Sequence, residues 1–180
     1  MRVIAGSARG VPLVAPRSGD TRPITDRVKE TLFGILGDRV PDATFLDLYA
    51  GSGAIGIEAL SRGAASADFV EHGRAALDSL RANLAKTRLE ADARLHSVDV
   101  ERFLTTTAGG RWDLVAIDPP YEVRAIVAPL SALVRHLAPG ATVVVKHFWR
   151  TEIPAIECLV EVRQRRFGET MLTFLQLEDG

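Results

Sequence analysis

The sequence predicts an α/β fold in which a mostly parallel, seven-stranded sheet carries helices on both faces. From Thr44 onward, five short apolar runs alternate with segments of helical spacing, the pattern of successive strand-helix units. A glycine-rich turn, Asp47-Leu-Tyr-Ala-Gly51-Ser-Gly53-Ala-Ile-Gly56, follows the first run and opens a helix. The chain ends in two extended runs, Leu159–Phe167 and Glu169–Leu177, separated only by Gly168, which close as an antiparallel hairpin.

In chain order, Arg2–Ala5 and Val11–Val14 are short extended pieces flanked by Gly6 and Gly10. They predict a small hairpin that Pro12 confines to an edge. A polar, proline-containing stretch over residues 15–23 follows, and Thr25 is placed to cap a helix whose apolar face is Val28, Leu32, Phe33 and Leu36. The strand candidates are Thr44–Tyr49, Ala67–Glu71, Ala93–Val98, Trp112–Asp118 and Ala141–Lys146. Leu77, Leu80 and Leu84 share one helical face. Ile126, Leu130, Leu133 and Leu137 share another, in a helix starting near Ile126 so that Pro129 falls in its first turn. Residues 1–40 are expected to form an extension packed on the core made by residues 41–180.

With 180 residues, 47% of them apolar and 25% charged, the chain has the balance of an ordinary globular domain. Cys158 is the single cysteine, so no internal disulfide can form and a reducing cytoplasm is expected. Neither MRVIAGSARG nor the longest buried-looking run, ATVVV, is long enough for export or membrane insertion. The four histidines are scattered without metal-ligand spacing, and no metal is expected. The net charge of −1 is unevenly spread: residues 1–40 hold seven Lys/Arg against four acids, which leaves −4 for the rest. Arg2, Arg9, Arg17, Arg22 and Arg27 therefore form a candidate basic arm for nucleic acid.

The three glycines match a dinucleotide fingerprint, and Glu71 lies 20 residues after Gly51 where a ribose-binding acid belongs. Taken alone, that spacing describes a dehydrogenase. Asp47, however, stands at the strand end, where a negative charge suits the cationic ammonium and sulfonium of S-adenosylmethionine better than a pyrophosphate. Asp99 after the third strand could accept from an adenine amino group. The cofactor-facing candidates are thus Asp47, Tyr49, Gly51, Ser52, Gly53, Glu71 and Asp99.

The fourth strand breaks at once into Asp118-Pro119-Pro120-Tyr121, where two prolines forbid its continuation. Such a turn suits methylation of an aromatic amino group, whose lone pair is delocalised into the ring. The Asp118 carboxylate and a turn carbonyl can accept the two amino hydrogens and favour the pyramidal, positively charged nitrogen of the transition state. Tyr121 can stack on the base. Carbon methylation of a pyrimidine would call for a cysteine nucleophile, and Cys158 lies far along the chain from this turn.

These motifs resemble the class I methyltransferases, and among them the amino-methylating branch marked by a D/N/S-P-P-Y/F turn. MRVIAG, RPITDRVKETLF, FLDLYAGSGAIGIEALSRGA, FVE and AIDPPY are together similar to the bacterial 16S ribosomal RNA guanine-N(2) methyltransferase family of RsmD type. The resemblance implies a sheet whose last strand is inserted antiparallel. It also implies S-adenosylmethionine as donor and, as substrate, a guanine of 16S ribosomal RNA methylated on its 2-amino group, within a small-subunit particle. Ala8, Val11 and Pro12 stand where the family has aromatic and basic residues, and His72-Gly73 follows Glu71 where a second acid is common. The tetrapeptide cannot name the base, so an adenine amino-methyltransferase of DNA or RNA stays open, as does a non-catalytic RNA-binding module.

Overall fold

In a computed structural model of the chain, residues 1–16, 24–119 and 124–178 are described, with the backbone alone at 124 and 125. The strands are β1 (Thr44–Leu48), β2 (Ser66–Glu71), β3 (Ala93–Ser97), β4 (Trp112–Ile117), β5 (Leu137–Phe148), β6 (Leu159–Phe167) and β7 (Thr170–Leu177). The helices are α1 (Asp26–Leu36), α2 (Ala54–Ser61), α3 (Arg74–Thr87), α4 (Val100–Thr106) and α5 (Arg124–Leu133). None is long and apolar enough to cross a membrane. The strands form one sheet in the order β3-β2-β1-β4-β5-β7-β6. β1 to β5 pair in parallel, and β7 runs antiparallel between β5 and β6. The expected mostly parallel sheet with an inserted antiparallel strand is borne out.

Side chains alternate across a strand, so each strand feeds two cores. On one face Phe45, Phe69, Leu114, Ala116, Val144, Leu172 and Phe174 meet α1, α2, α3 and the N-terminal residues Val3, Ala8 and Leu13. On the other, Leu46, Leu48, Val70, Val115, Ile117, Val143 and Val145 meet α4 and α5. The central strands read as mostly apolar runs because both of their faces are covered, whereas β3 and β6 at the sheet edges carry exposed polar residues.

The expected α5 needs correction. It begins at Arg124, so Pro129 lies in the helix interior, where it removes one amide donor from the ladder. A single 3₁₀ turn, Val134–His136, then ends the helix, and Leu137 opens β5 instead of completing the helical face.

The expected N-terminal hairpin is a single antiparallel bridge between Arg2 and Pro12, flanked by Val3 N–H to Val11 O at 3.0 Å and Leu13 N–H to Met1 O at 3.1 Å. Thr25 caps α1 as expected, accepting the Val28 N–H at 3.4 Å. The arm is bolted to α2 by charges that carry no apolar signal in the sequence. Glu58 and Lys29 are both fully buried and 3.1 Å apart. Glu58 also accepts the Ile4 and Ala5 N–H groups and Arg62 Nε, while Lys29 Nζ donates to Arg2 O. Gly6 presses so closely on the end of α2 that a Cβ would lie 1.6 Å from Ser61 O. On α3, the Asn83 side chain grips the Val14 backbone, N–H at 2.7 Å and carbonyl at 2.9 Å, and donates also to Ser52 O.

Candidate active site

Strand parity and register collect the polar strand ends. Asp47 is two residues beyond Phe45, Glu71 two beyond Phe69, Asp118 two beyond Ala116 and Lys146 two beyond Val144, so all four belong to the face that carries α2. They converge between β1 and β4, where the strand order reverses and open α/β sheets bind ligands. A cleft of about 540 Å³ lies there. Its lining includes Asp47, Tyr49, Gly51, Ser52, Glu71, Asp118 and Pro119 among the expected residues, and Lys146, His147 and Phe148 from the end of β5. Met1, Pro16 and Ile24 close one side.

Asp47 is buried, and its Oδ2 accepts the Gly56 N–H at 2.9 Å. This carboxylate from β1 satisfies a first-turn amide of α2, whose own N-cap, Gly53, has no side chain to do so. Burial pushes the Asp47 carboxyl well above its usual range; the Gly56 amide opposes that, and repulsion from Asp118 and Glu71 adds to it. Gly53 is not among the lining residues. It turns the chain with φ +78°, and a Cβ there would meet Leu80 at 2.2 Å.

Glu71 latches the turn. Its Oε2 accepts the Gly51 N–H at 2.9 Å, and its Oε1 accepts those of His72 and Gly73 at 2.9 and 2.7 Å. Tyr49 holds a left-handed backbone (φ 58°), and its hydroxyl is pushed up to about 12 by burial and by the nearby charges of Asp99 and Glu101. Asp99 is exposed and caps α4 through Oδ1, accepting the Glu101 and Arg102 N–H groups at 2.8 and 3.2 Å. It does not line the cleft.

Asp118 meets a partner that the sequence reading missed. The Ile117–Val145 register of β4 and β5 extends by one residue to bring Lys146 Nζ to 2.6 Å from Asp118 Oδ1. The Asp118 side chain is 26% exposed and that of Lys146 16%. Burial raises the Asp118 carboxyl above its usual range, and the lysine charge and hydrogen bond pull the other way. The parity of β5 was the available signal for Lys146. His147, on the opposite face, is held between Phe148 O at 2.9 Å and Thr173 Oγ1 at 2.8 Å. A carbonyl only accepts, so Nδ1 carries the proton and Nε2 accepts from the threonine hydroxyl.

Pro120 and Tyr121 lie outside the described residues, as do Arg17 and Arg22 of the arm. Arg2, Arg9 and Arg27 are exposed, and Arg2 Nε is 3.2 Å from Asp26.

A family model described as conserved hypothetical protein 95 matches residues 1–176. The chain belongs to that family. The resemblance to RsmD-type enzymes drawn from the motifs is met among its relatives. The YlbH protein of Bacillus subtilis (strain 168) is 35% identical over 175 residues, 94% of this chain and 95% of that protein. The Ribosomal RNA small subunit methyltransferase D of Escherichia coli (strain K12) is 45% identical over 122 residues, 68% of this chain and 61% of the relative. The solved structure of the Escherichia coli protein yhhF is 34% identical, covers 99% of this chain and 98% of its own, and superposes with a TM-score of 0.89. The fold is that of the class I methyltransferases, as expected.

Proposed function

We propose that this protein transfers a methyl group from S-adenosylmethionine to the exocyclic 2-amino group of a guanine in 16S ribosomal RNA. The observation that carries the reading is the shared cleft: Asp118, at the end of β4, faces the same space as Asp47, Glu71 and the Gly51-Ser52 turn. The names of the ribosomal RNA small subunit methyltransferase D relatives support RNA as the substrate class. The residues fit the donor. A cleft of about 540 Å³ holds a nucleoside-sized ligand, and its acids suit a cation.

Glu71, with the Gly51 turn, would hold the ribose end; Asp47, Tyr49 and Ser52 would line the amino-acid end, and Asp99 would stand toward the adenine. When bound, the donor supplies an electrophilic methyl on a sulfonium centre. Asp118 has Oδ1 engaged by Lys146, which leaves Oδ2 to accept a hydrogen of the incoming amino group as positive charge grows on nitrogen. Lys146 opposes the neutral form that burial of the carboxyl favours. Pro119 and Pro120 stiffen the turn, and Tyr121 stacks on the base. A loop guanine reaches this position only out of its stack. Residues 1–40 act as the RNA arm, through Arg2, Arg9, Arg17, Arg22 and Arg27, on a small-subunit particle in the cytoplasm.

The test is transfer of labelled methyl to unmodified 16S transcript and to undermethylated small-subunit particles, followed by nucleoside identification. N2-methylguanosine is expected. N6-methyladenosine as the sole product, or no transfer to either substrate, would overturn the reading.

A further inference from the structure

Beyond the cleft, Arg150, Arg163, Arg165 and Arg166 gather around the β6–β7 hairpin and the end of β5. Trp149, directly after β5, carries two guanidinium groups against its ring: the Arg166 carbon is 3.7 Å from the centroid and the Arg150 carbon 4.7 Å. Both arginines are exposed. Arg166 is fixed further by Nε donating to Gly168 O at 2.8 Å. The indole is seated from below, its backbone N–H on Glu169 O at 2.9 Å and its ring against Phe148 with centroids 6.2 Å apart. Two like charges gathered on one ring repel each other, and an arrangement of this kind is relieved by an anion.

Arg150 and Arg166 share the lack of a carboxylate partner with most described arginines, and differ from them in sharing one aromatic ring. Arg2, Arg62, Arg81 and Arg94 each lie within 4.0 Å of a carboxylate. Among the described residues no such ion pair involves Arg150 or Arg166. Stacking on an aromatic face holds a guanidinium in a plane and leaves its outer donors in a fork that matches a phosphate. The location names the kind of phosphate. Phe148 and Thr151, close to Trp149 in sequence, and Thr170, which pairs with Phe148 across β5 and β7, line the cleft. An anion held by the pair would therefore sit beside the cleft, on residues from the opposite end of the sequence from the N-terminal arm.

We propose that Arg150 and Arg166, held on Trp149, form a clamp for the RNA phosphodiester backbone next to the methylated nucleotide. The inference rests on the RNA methyltransferase reading above. Phosphate contacts set register and affinity without reading the base, so the clamp fixes where the strand lies and leaves base choice to the cleft.

The experiment measures binding of fluorescein-labelled unmodified 16S transcript in the presence of S-adenosylhomocysteine, across a range of salt concentrations. It compares wild type, R150Q/R166Q and R163Q/R165Q. The last pair removes the same charge from exposed β6 positions whose guanidinium groups are not stacked on Trp149. R150Q/R166Q should weaken RNA binding about tenfold and make the log–log salt slope shallower by about 1 to 2. Its KM for RNA should rise while the single-turnover rate at saturating RNA and the affinity for S-adenosylhomocysteine stay at wild-type values. R163Q/R165Q should change the slope less. Trp149→Leu, which keeps both cations and loses their platform, should weaken RNA binding by at least about threefold. Equal effects of the two double variants, or an unchanged slope in R150Q/R166Q, would overturn the clamp. So would intact binding to naked RNA with activity lost only on the particle, which would assign this corner to a protein partner. Failure of the wild type to bind or methylate RNA would overturn the enzyme reading itself, together with the clamp.

Discussion

Lys146 Nζ stands 2.6 Å from Asp118 Oδ1, so the acid of the Asp-Pro turn is half of a cross-strand ion pair between β4 and β5. The pairing opposes the effect of burial, which alone would favour the neutral carboxyl. Lys146→Met should lift the Asp118 carboxyl further and move the acidic limb of the pH-rate profile to higher pH. At neutral pH the loss of a charge-assisted hydrogen bond, about 1.5–3 kcal/mol, should slow single-turnover methyl transfer by roughly ten- to a hundredfold. Lys146→Arg should recover most of the profile. A Lys146→Met enzyme with the wild-type profile would remove the lysine from the mechanism.

Asp118→Ala should fold, bind the cofactor normally and lose about 10²–10³ in single-turnover rate, the scale for losing a preorganised electrostatic contact. Calorimetry and rapid quench on the same preparation separate the two effects. Wild-type transfer by this variant would refute the assignment of Asp118.

Glu71→Ala should act twice. Three backbone N–H groups, of Gly51, His72 and Gly73, lose their acceptor, and the ribose end of the cleft loses its carboxylate. Cofactor binding should weaken about tenfold or more, and stability should fall by about 1–3 kcal/mol. Titration calorimetry and thermal melts read these separately; an unchanged cofactor affinity would exclude Glu71 from the site.

Asp47→Asn should leave the ligand-free protein at least as stable as wild type while weakening its hold on the cationic donor. The folded carboxyl is raised above its unfolded value, so the folded state binds the proton more tightly. Its ionised form therefore costs stability at neutral pH, and that cost fades as pH falls through the raised value toward the ordinary carboxylate range. The asparagine oxygen keeps the Gly56 N–H satisfied. Thermal melts of both proteins from about pH 5 to 8 should show the stability gap closing on acidification.

Lys29→Met should cost about 3 kcal/mol, because buried Glu58 loses its buried counter-ion and keeps only the partly exposed Arg62. Amide exchange should quicken first at Ile4 and Ala5, whose N–H groups rest on Glu58. Unchanged melting and exchange would show that the pair does not anchor the arm.

The central strands are legible in the sequence because both of their faces are buried, which writes them as apolar runs, and Gly168 marks the closing hairpin unaided. Period-two alternation also makes Asp47, Glu71 and Asp118 legible as neighbours. Lys146 obeys the same rule, yet a lysine at a strand end reads as solvated until the β4–β5 register is known. Lys29 and Glu58 are harder still: α1 shows its burial through Val28, Leu32, Phe33 and Leu36, and a charge beside that stripe reads as its solvent edge. Their pairing depends on how α1 crosses α2. Asp99 illustrates a residue type with two uses, since an acid after a strand serves equally as a helix cap, and here its Oδ1 serves α4.

Asn83 gives the N-terminal arm and the cofactor turn a common hinge pin. One amide holds the Val14 backbone with both its oxygen and its nitrogen, and the same nitrogen holds Ser52 O. Ligands at the two ends are thereby joined by thermodynamic linkage: to whatever extent RNA on the arm favours the closed set of these bonds, it tightens the cofactor turn, and the cofactor must tighten RNA by the same factor. The enzyme would then have no preferred order of loading at equilibrium, only a shared preference for holding both ligands at once.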